Sequence, residues 1–415
     1  MFDIFKIAVR NLSRYRRRTL LTLLLIVIGM LAVLLFMSVT GSFKSMMVGQ
    51  ITDSVLGHLE VHRKGYVASI DNLPLNLNLK PDAMAKVEEA LKQLDTVQTW
   101  SPRVKFGGMY SNFSETTAIR INGVDPDREA ATVPLLPGRI TEGRKDGPLV
   151  AKGEILIPVL LARGMKSQVG DTVVLVATNR DGSVNGKTFV VRGVIEGISG
   201  PGGRDGYIHI DDARELLRMK EAEVSEIAIR LKNPAQLDRT AARLQQALEG
   251  QTNKEGKPLL EVHTWADLSP FANLARMIDV MTVFIKIVLV SIVLVSVMNV
   301  MVMAVYERIR EIGTIAAIGT PPGRILSLFL SEGLLLGLIG TALGTLVSLA
   351  VIYALNVWKI HFVFGQQQEL VLAPQIGVLE VATIAAMVVG VALLASLQPA
   401  WKASRLDPID ALRHV

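Results

Sequence analysis

A chain of 415 residues with a formal net charge of +6, half of its residues hydrophobic and no cysteine excludes several classes at once. No disulfide framework, thiolate metal site or cysteine nucleophile is available, and the apolar residues gather in four long runs instead of spreading through one soluble core. Nor does the positive charge describe a nucleic-acid surface, because Lys6, Arg10, Arg14, Arg16, Arg17 and Arg18 place six positives ahead of the first apolar run, the pattern of a cytoplasmic membrane flank.

Residues 1–18 mix Phe2, Phe5, Ile7, Val9 and Leu12 with those basic side chains, which predicts a cytoplasmic helix lying in the membrane interface. Residues 19–40 follow as a transmembrane run of about the 20 residues that a ~30 Å hydrocarbon core requires. The run is longer than a signal-peptide core and no clean small-x-small cleavage site closes it, so it reads as a retained helix. Residues 41–276 then lie outside the cytoplasm. They alternate strand and amphipathic-helix patterns, which predicts a large α+β extracytoplasmic domain inserted between the first and second spans. Residues 55–61 and 117–124 read as strands, and residues 81–94 as a helix with Met84, Val87, Leu91 and Leu94 on one face. Residues 155–163 read as a short helix stopped by Gly164. Residues 172–177 and 188–195 read as strands joined through the turn-rich Asn179, Arg180, Asp181 and Gly182, and Asp211 is placed to cap a helix through Leu217. Residues 224–231, 234–248 and 259–263 repeat a strand, helix, strand order that mirrors the first unit, so residues 125–223 read as an inserted subdomain.

From Trp265 the helical pattern is expected to continue through Val305, with Leu268, Phe271, Leu274 and Ile278 as a stripe ahead of the membrane and residues 277–305 as stalk end and second span. Residues 306–324 interrupt the apolar chain with Glu307, Arg308, Arg310, Glu311 and Arg324. Ile309, Ile312, Ile315 and Ala316 recur there at helical spacing, which predicts a short amphipathic helix on the cytoplasmic membrane surface, stopped by Gly313, Gly319 and Pro321-Pro322-Gly323. By spacing alone an ordinary solvated turn fits equally well. The third span, residues 325–357, carries Gly333, Gly337, Gly340 and Gly344, which clears one face for close approach by another helix. Residues 358–374 form an outer loop, residues 375–397 a fourth span, and residues 398–415 a basic cytoplasmic tail. The class is therefore membrane α-helical, four transmembrane helices with one large α+β domain.

No catalytic constellation and no metal site can be assembled from spacing. Gly182-Ser183-Val184-Asn185-Gly186-Lys187-Thr188 imitates a phosphate loop but is one residue short, has Asp181 where glycine belongs, and reads as a hairpin between strands. His58, Glu60 and His62 would share a strand face. With no further ligand cluster in view they read as a polar face, not a metal centre. The other histidines stand apart, so no nucleophile, base and orienting acid combine. Lys286 and Glu332 are ionisable groups in or near apolar spans, read as structural: Lys286 snorkelling outward and Glu332 facing the cytoplasmic interface.

The order of one span, large outer domain and three spans, together with Glu307-Arg308-Ile309-Arg310-Glu311-Ile312-Gly313 and Gly319, resembles the MacB/FtsX-type permeases of ABC transporters. The ending from Pro399-Ala400 through Ala403, Pro408, Ala411, Leu412 and Arg413 looks like that family's tail. Ile121-Asn122-Gly123-Val124-Asp125-Pro126, Leu136-Pro137-Gly138, Val169-Gly170-Asp171 and Asp205-Gly206-Tyr207 look most like the lipoprotein-releasing LolC/LolE branch. The resemblance implies a permease that is not itself an enzyme and binds no cofactor. ATP and Mg would belong to two copies of a partner ABC ATPase, gripped by a coupling helix at Glu307, Arg308, Arg310, Glu311, Ile312, Gly313 and Gly319. It implies a bacterial inner membrane location with both termini cytoplasmic and the large domain periplasmic. A second permease copy or a paralogue would complete the pair, and a lipid or lipoprotein substrate would enter between the first two spans and pass to a periplasmic chaperone or adaptor. The hairpin that captures the chaperone in that branch would fall near residues 177–187, where this chain is short and rich in Gly and Asn. Two other family members set the alternatives: MacB-like tripartite efflux of drugs, peptides or siderophores, and an FtsX-like relay that activates a cell-wall hydrolase.

Overall fold

The computed structural model describes residues 2–144, 146–197, 205–250, 252, 258–364 and 367–413. Residues 414 and 415 of the expected tail lie outside them. In chain order the elements begin α1 (Phe2–Arg14), α2 (Arg16–Ile51), β1 (Leu59–Arg63), α3 (Pro81–Lys92), β2 (Val97–Ser111), β3 (Thr116–Val124), α4 (Pro126–Thr132) and β4 (Ile140–Gly143). Next come β5 (Glu154–Pro158), α5 (Val159–Met165), β6 (Thr172–Thr178), β7 (Val184–Ile195), β8 (Asp205–His209), α6 (Ile210–Leu216), β9 (Glu226–Leu231), α7 (Leu237–Leu248) and β10 (Leu260–Thr264). The chain closes with α8 (Trp265–Leu268), α9 (Phe271–Glu307), α10 (Ile309–Ala317), α11 (Pro322–Trp358), β11 (Ile360–Phe364), β12 (Gln367–Leu372), α12 (Val378–Ser404) and α13 (Pro408–Arg413). Two compact units result, one of Met1–Ser45, Arg276–Phe362 and Val371–Val415, the other of Met46–Ala275 and Val363–Leu370.

In the first unit, α2, α9, α11 and α12 are long and apolar enough to cross a membrane. Their common core takes Ile26, Met30, Val33 and Leu34 from α2, Val293, Val297 and Met301 from α9, and Leu335, Leu336, Val388 and Ala392 from the last two. Small residues set the approach distances. A Cβ at Gly333 would lie 1.9 Å from Ser396 Oγ and one at Gly337 2.9 Å from Ala392 Cβ, so these two glycines face α12. Gly340 and Gly344 face α2 instead, where a Cβ would come within 2.7 Å of Ile26 Cγ2 and of Met30 Cβ. Gly29 does the same between α2 and α9, 2.2 Å from Val293 Cγ2. Gly340→Leu is expected to cost about 1–3 kcal/mol by overpacking, measured as a lower Tm in detergent. Gly390→Leu, where no atom of the described residues lies within 4 Å of an added Cβ, serves as the control with no such loss.

In the second unit ten strands form one mixed sheet in the order β10-β1-β9-β2-β3-β8-β5-β7-β4, with β6 paired to β2 and β7. Strands from residues 125–223 thus share a sheet with those that flank them in sequence. Pairing is antiparallel except for β3 with β8 and β5 with β7. The period-two alternation of strands divides the side chains between two faces. Leu59, Val61, Val104, Phe106, Ile119, Ile121, Ile227 and Ile229 join Val87 and Leu91 of α3 and Leu244 and Leu248 of α7 in an apolar core. The opposite set is charged, and it too is buried: Glu60, His62, Arg103 and Glu226 are each 2 % exposed or less. Register explains the row, since His62 stands opposite Glu226 and Glu226 opposite Arg103. Glu129 of α4 closes it with a two-point pair to the Arg103 guanidinium, at 3.1 Å to Nε and 2.7 Å to Nη2.

Several elements differ from the sequence reading. The first strand begins at Leu59, because Thr52–Leu56 is a π-helical turn ended by Gly57 at φ +74°. Residues 155–163 are not one helix: Glu154–Pro158 is a strand between β7 and β8, and the helix after it runs through Gly164 to end at Lys166, φ +53°. The β-branched Ile155 and Ile157 are buried by their neighbours in the sheet, which overrides the helical spacing. His209, not Asp211, caps α6, its Nδ1 accepting from the Asp211 N–H. The expected helix from Trp265 is broken at Ser269 and Pro270, since proline has no N–H to continue the ladder. His58 leaves the face of Glu60 and His62, its Nδ1 accepting from the Leu231 N–H at 3.0 Å.

Candidate functional site

Residues 308–321 connect α9 to α11 through one short helix. Arg308, at φ −115°, breaks the helical path after Glu307. Gly313 does not stop α10, contrary to the sequence reading, and the helix runs on to Ala317. The stop comes at Gly319, whose φ of +96° suits glycine. Pro322 then opens α11, where its missing N–H costs nothing.

What the turn buries is ionic. Arg308 is 4 % exposed and Glu332, one helix away on α11, is fully buried. Arg308 Nη1 donates to Glu332 Oε1 at 2.9 Å and its Nε to Glu311 Oε2 at 3.0 Å. Asn11 Nδ2 donates to the same Glu332 Oε1 at 2.7 Å, and Tyr15 OH to Glu311 Oε1 at 3.1 Å. Arg18 lies 3.6 Å from Glu307, and the guanidiniums of Arg14, Arg18 and Arg308 all lie within 6 Å of the Tyr15 ring. Burial works against the Arg308 charge, but Glu332 and Glu311 outweigh it and raise its pKa. Burial likewise opposes the Glu311 charge, and Arg308 and Tyr15 hold its carboxyl below the usual range. The N-terminal helix, the turn and the start of α11 are therefore tied by one polar network. Sequence reasoning singled out Arg308, Glu311 and Glu332 separately and did not find Asn11 or Tyr15; the signal was available only as polar residues on an otherwise apolar helix face.

The other side of α10 meets the tail. A Cβ on Gly313 would lie 2.7 Å from Ala411 Cβ and 3.6 Å from the Pro408 carbonyl, so the glycine lets α13 lie directly on α10. Ile312 is buried as well. Of the seven residues expected to grip a partner, Arg308, Ile312 and Gly313 thus face inward, Glu311 is half-buried, and Glu307, Arg310 and Gly319 are exposed. Tyr306 and Ile318, 63 % and 80 % exposed, extend that outer face with apolar surface and were not singled out from sequence.

A family model described as the MacB-like periplasmic core domain matches residues 19–247, and one described as the FtsX-like permease C-terminal matches residues 283–408. The chain belongs to the family of MacB/FtsX-type ABC transporter permeases. It is 23% identical over 411 residues to the lipoprotein-releasing system transmembrane protein LolC of Neisseria meningitidis serogroup B, covering 95% of this chain and 94% of that one. It is 38% identical over 109 residues to the macrolide export ATP-binding/permease protein MacB of Neisseria gonorrhoeae, covering 26% of this chain and 15% of that one. Among solved structures, the periplasmic region of MacB from Actinobacillus actinomycetemcomitans matches 53% of this chain and 92% of its own at 11% identity, TM-score 0.36. As a MacB/FtsX-type permease the chain is a multi-pass membrane protein with a large extracytoplasmic domain, and members of its family work with ABC ATPase subunits. The two sequence motifs that carried the resemblance, at residues 307–313 and 399–413, meet where Gly313 lies against Ala411.

Proposed function

We propose that this permease transmits ATP-driven movement from two cytoplasmic ABC ATPase subunits to its extracytoplasmic domain, and that the work done there is extraction of lipoproteins or other lipidated, hydrophobic substrates from the outer leaflet of a bacterial inner membrane. The observation that carries the reading is the two-sided build of α10. Its inner face is tied by Arg308 to Glu332 and by Gly313 to Ala411, while Tyr306, Arg310 and Ile318 are presented outward. A partner pressing on that outer face displaces α11 and α13 with it, and α9, unbroken from Phe271 to Glu307, supplies the lever. ATP and Mg are bound by the ATPase subunits in this reading, and both termini face them. Similarity to LolC along nearly the whole chain, against a local match to MacB, favours lipid extraction over efflux. Val280, Phe284 and Ile287 of α9 and Leu20, Leu21, Leu24 and Ile28 of α2 are exposed apolar side chains, as a lipid-lined gate between two permease copies requires.

The test is co-purification of the full chain with its ATPase, followed by mass spectrometry of all bound protein and lipid. Wild type is expected to retain ATPase and a lipidated substrate that leaves on ATP addition, whereas Arg310→Glu with Ile318→Asp loses the ATPase at least tenfold. ATPase retained unchanged by that variant sinks the coupling face. A duct or adaptor retained without lipidated substrate moves the assignment to efflux, and a bound cell-wall hydrolase without substrate moves it to a relay.

A further inference from the structure

The buried charge row on the sheet holds a feature that neither coupling nor packing uses. Glu60 Oε2, His62 Nε2 and Glu226 Oε2 converge to within 4.8 Å of one another. Their residues are no more than 1 % exposed, and among the described residues none of the three atoms makes a hydrogen bond of good geometry. The imidazole nitrogen is 3.3 Å from Glu60 Oε2 and 3.4 Å from Glu226 Oε2. Those separations are long for charge-assisted hydrogen bonds, which run about 2.7–2.9 Å. They equal the spacing of two donors around a tetrahedral zinc-class ion, about 3.4 Å for metal–ligand bonds of ~2.1 Å.

The remaining carboxylate oxygens are held from behind. Glu60 Oε1 lies 3.5 Å from Arg103 Nη1, and Glu226 Oε1 is 3.1 Å from the same nitrogen and 2.7 Å from Lys105 Nζ. Outer partners of this kind fix the direction of ligating oxygens. The His62 ring is itself positioned by stacking on Tyr66, ring centres 5.1 Å apart, and by an edge contact with His263 at 5.4 Å.

We propose that Glu60, His62 and Glu226 form a buried site for a divalent transition metal of the zinc class, three protein donors with water in the fourth position, which staples β1 to β9. One nitrogen and two carboxylate donors without thiolate suit Zn²⁺, and Co²⁺ as its spectroscopic substitute. The sequence reading stopped short of this site because its third ligand comes from β9, far along the chain, while the histidine it grouped with Glu60 and His62 bonds elsewhere.

The experiment uses the full chain in detergent, purified with a histidine-free tag, stripped by chelator and equilibrated with ZnCl₂ or CoCl₂. Elemental analysis is expected to find about one ion per chain, and Co²⁺ to give the visible absorption of a four-coordinate site without thiolate bands. His62→Gln and Glu226→Gln should each weaken binding by 10-fold or more, while Glu129→Gln, whose carboxylate pairs with Arg103 outside the donor set, retains the ion. A folded wild-type chain that gives no four-coordinate Co²⁺ absorption overturns the site, and this readout stands even where the ligand variants do not fold. Wild-type stoichiometry in both folded ligand variants overturns it equally.

Discussion

Arg308→Ala is expected to destabilise the membrane unit by about 3–5 kcal/mol, because it leaves Glu332 fully buried and without its guanidinium partner. The loss should appear as a lower Tm in detergent and as aggregation during purification. Asn11 still donates to Glu332 in the variant, but one neutral amide does not replace a charge. Arg308→Lys keeps a positive charge and loses the second bond to Glu311, so it should fall between wild type and alanine. The decisive variant is the double one. Arg308→Met with Glu332→Gln removes both charges and should recover most of the stability, since a buried pair is often no more stable than its neutral replacement. That recovered chain has lost the tie between α10 and α11. Under the coupling proposed above, it should bind ATPase at wild-type levels and fail to release substrate on ATP addition. Release at the wild-type rate would mean that the tie serves stability alone.

How much of this was legible in the sequence depends on how local each feature is. The four spans and the charged turn were legible because an apolar run of membrane length and a cluster of charges are read without knowing any partner. The glycine stripe on α11 was legible as a packing surface, but not its division, Gly333 and Gly337 toward α12 and Gly340 and Gly344 toward α2. A stripe states that something comes close and not what. In the sheet, β2 was not found at all: Pro102, Arg103 and Lys105 interrupt its alternation, and Gly107 and Gly108 look like a turn. Its neighbours hold it extended, β9 along residues 97–103, β3 along residues 103–111 and β6 along residues 108–111. Nothing local marks Arg103 and Lys105 as buried, because the carboxylates that accept them come from β1, α4 and β9. Arg308 and Glu332 were each flagged as unusual, yet their pairing is a contact between two helices that spacing within either one cannot express.

Arg103→Ala is the counterpart in the extracytoplasmic domain, and its effect should be the larger in that unit. The guanidinium is 2 % exposed and touches three carboxylates, Glu60, Glu129 and Glu226, of which Glu129 is gripped at two points. Burial opposes the Arg103 charge, and the combined field of Glu129, Glu226 and Glu60 raises its pKa regardless. Truncation leaves the three acids with Lys105 and His62 alone and opens a cavity the size of the lost side chain. At least the ~3–5 kcal/mol of a broken buried pair is at stake, against a total of about 5–15 kcal/mol for an ordinary domain. Hydrogen exchange on the full chain in detergent should show protection lost in β1, β2, β9 and α4 together, while the amides of α11 and α12 stay protected. Arg103→Ala combined with Glu129→Gln should recover part of the loss, a coupling of about 0.5–3 kcal/mol, because the neutral amide no longer needs the missing cation. Protection unchanged in the single variant would mean that water reaches the carboxylates in place of Arg103. The charge row would then be a solvated channel through the sheet and not the sealed, mutually compensated cluster that its burial and register describe.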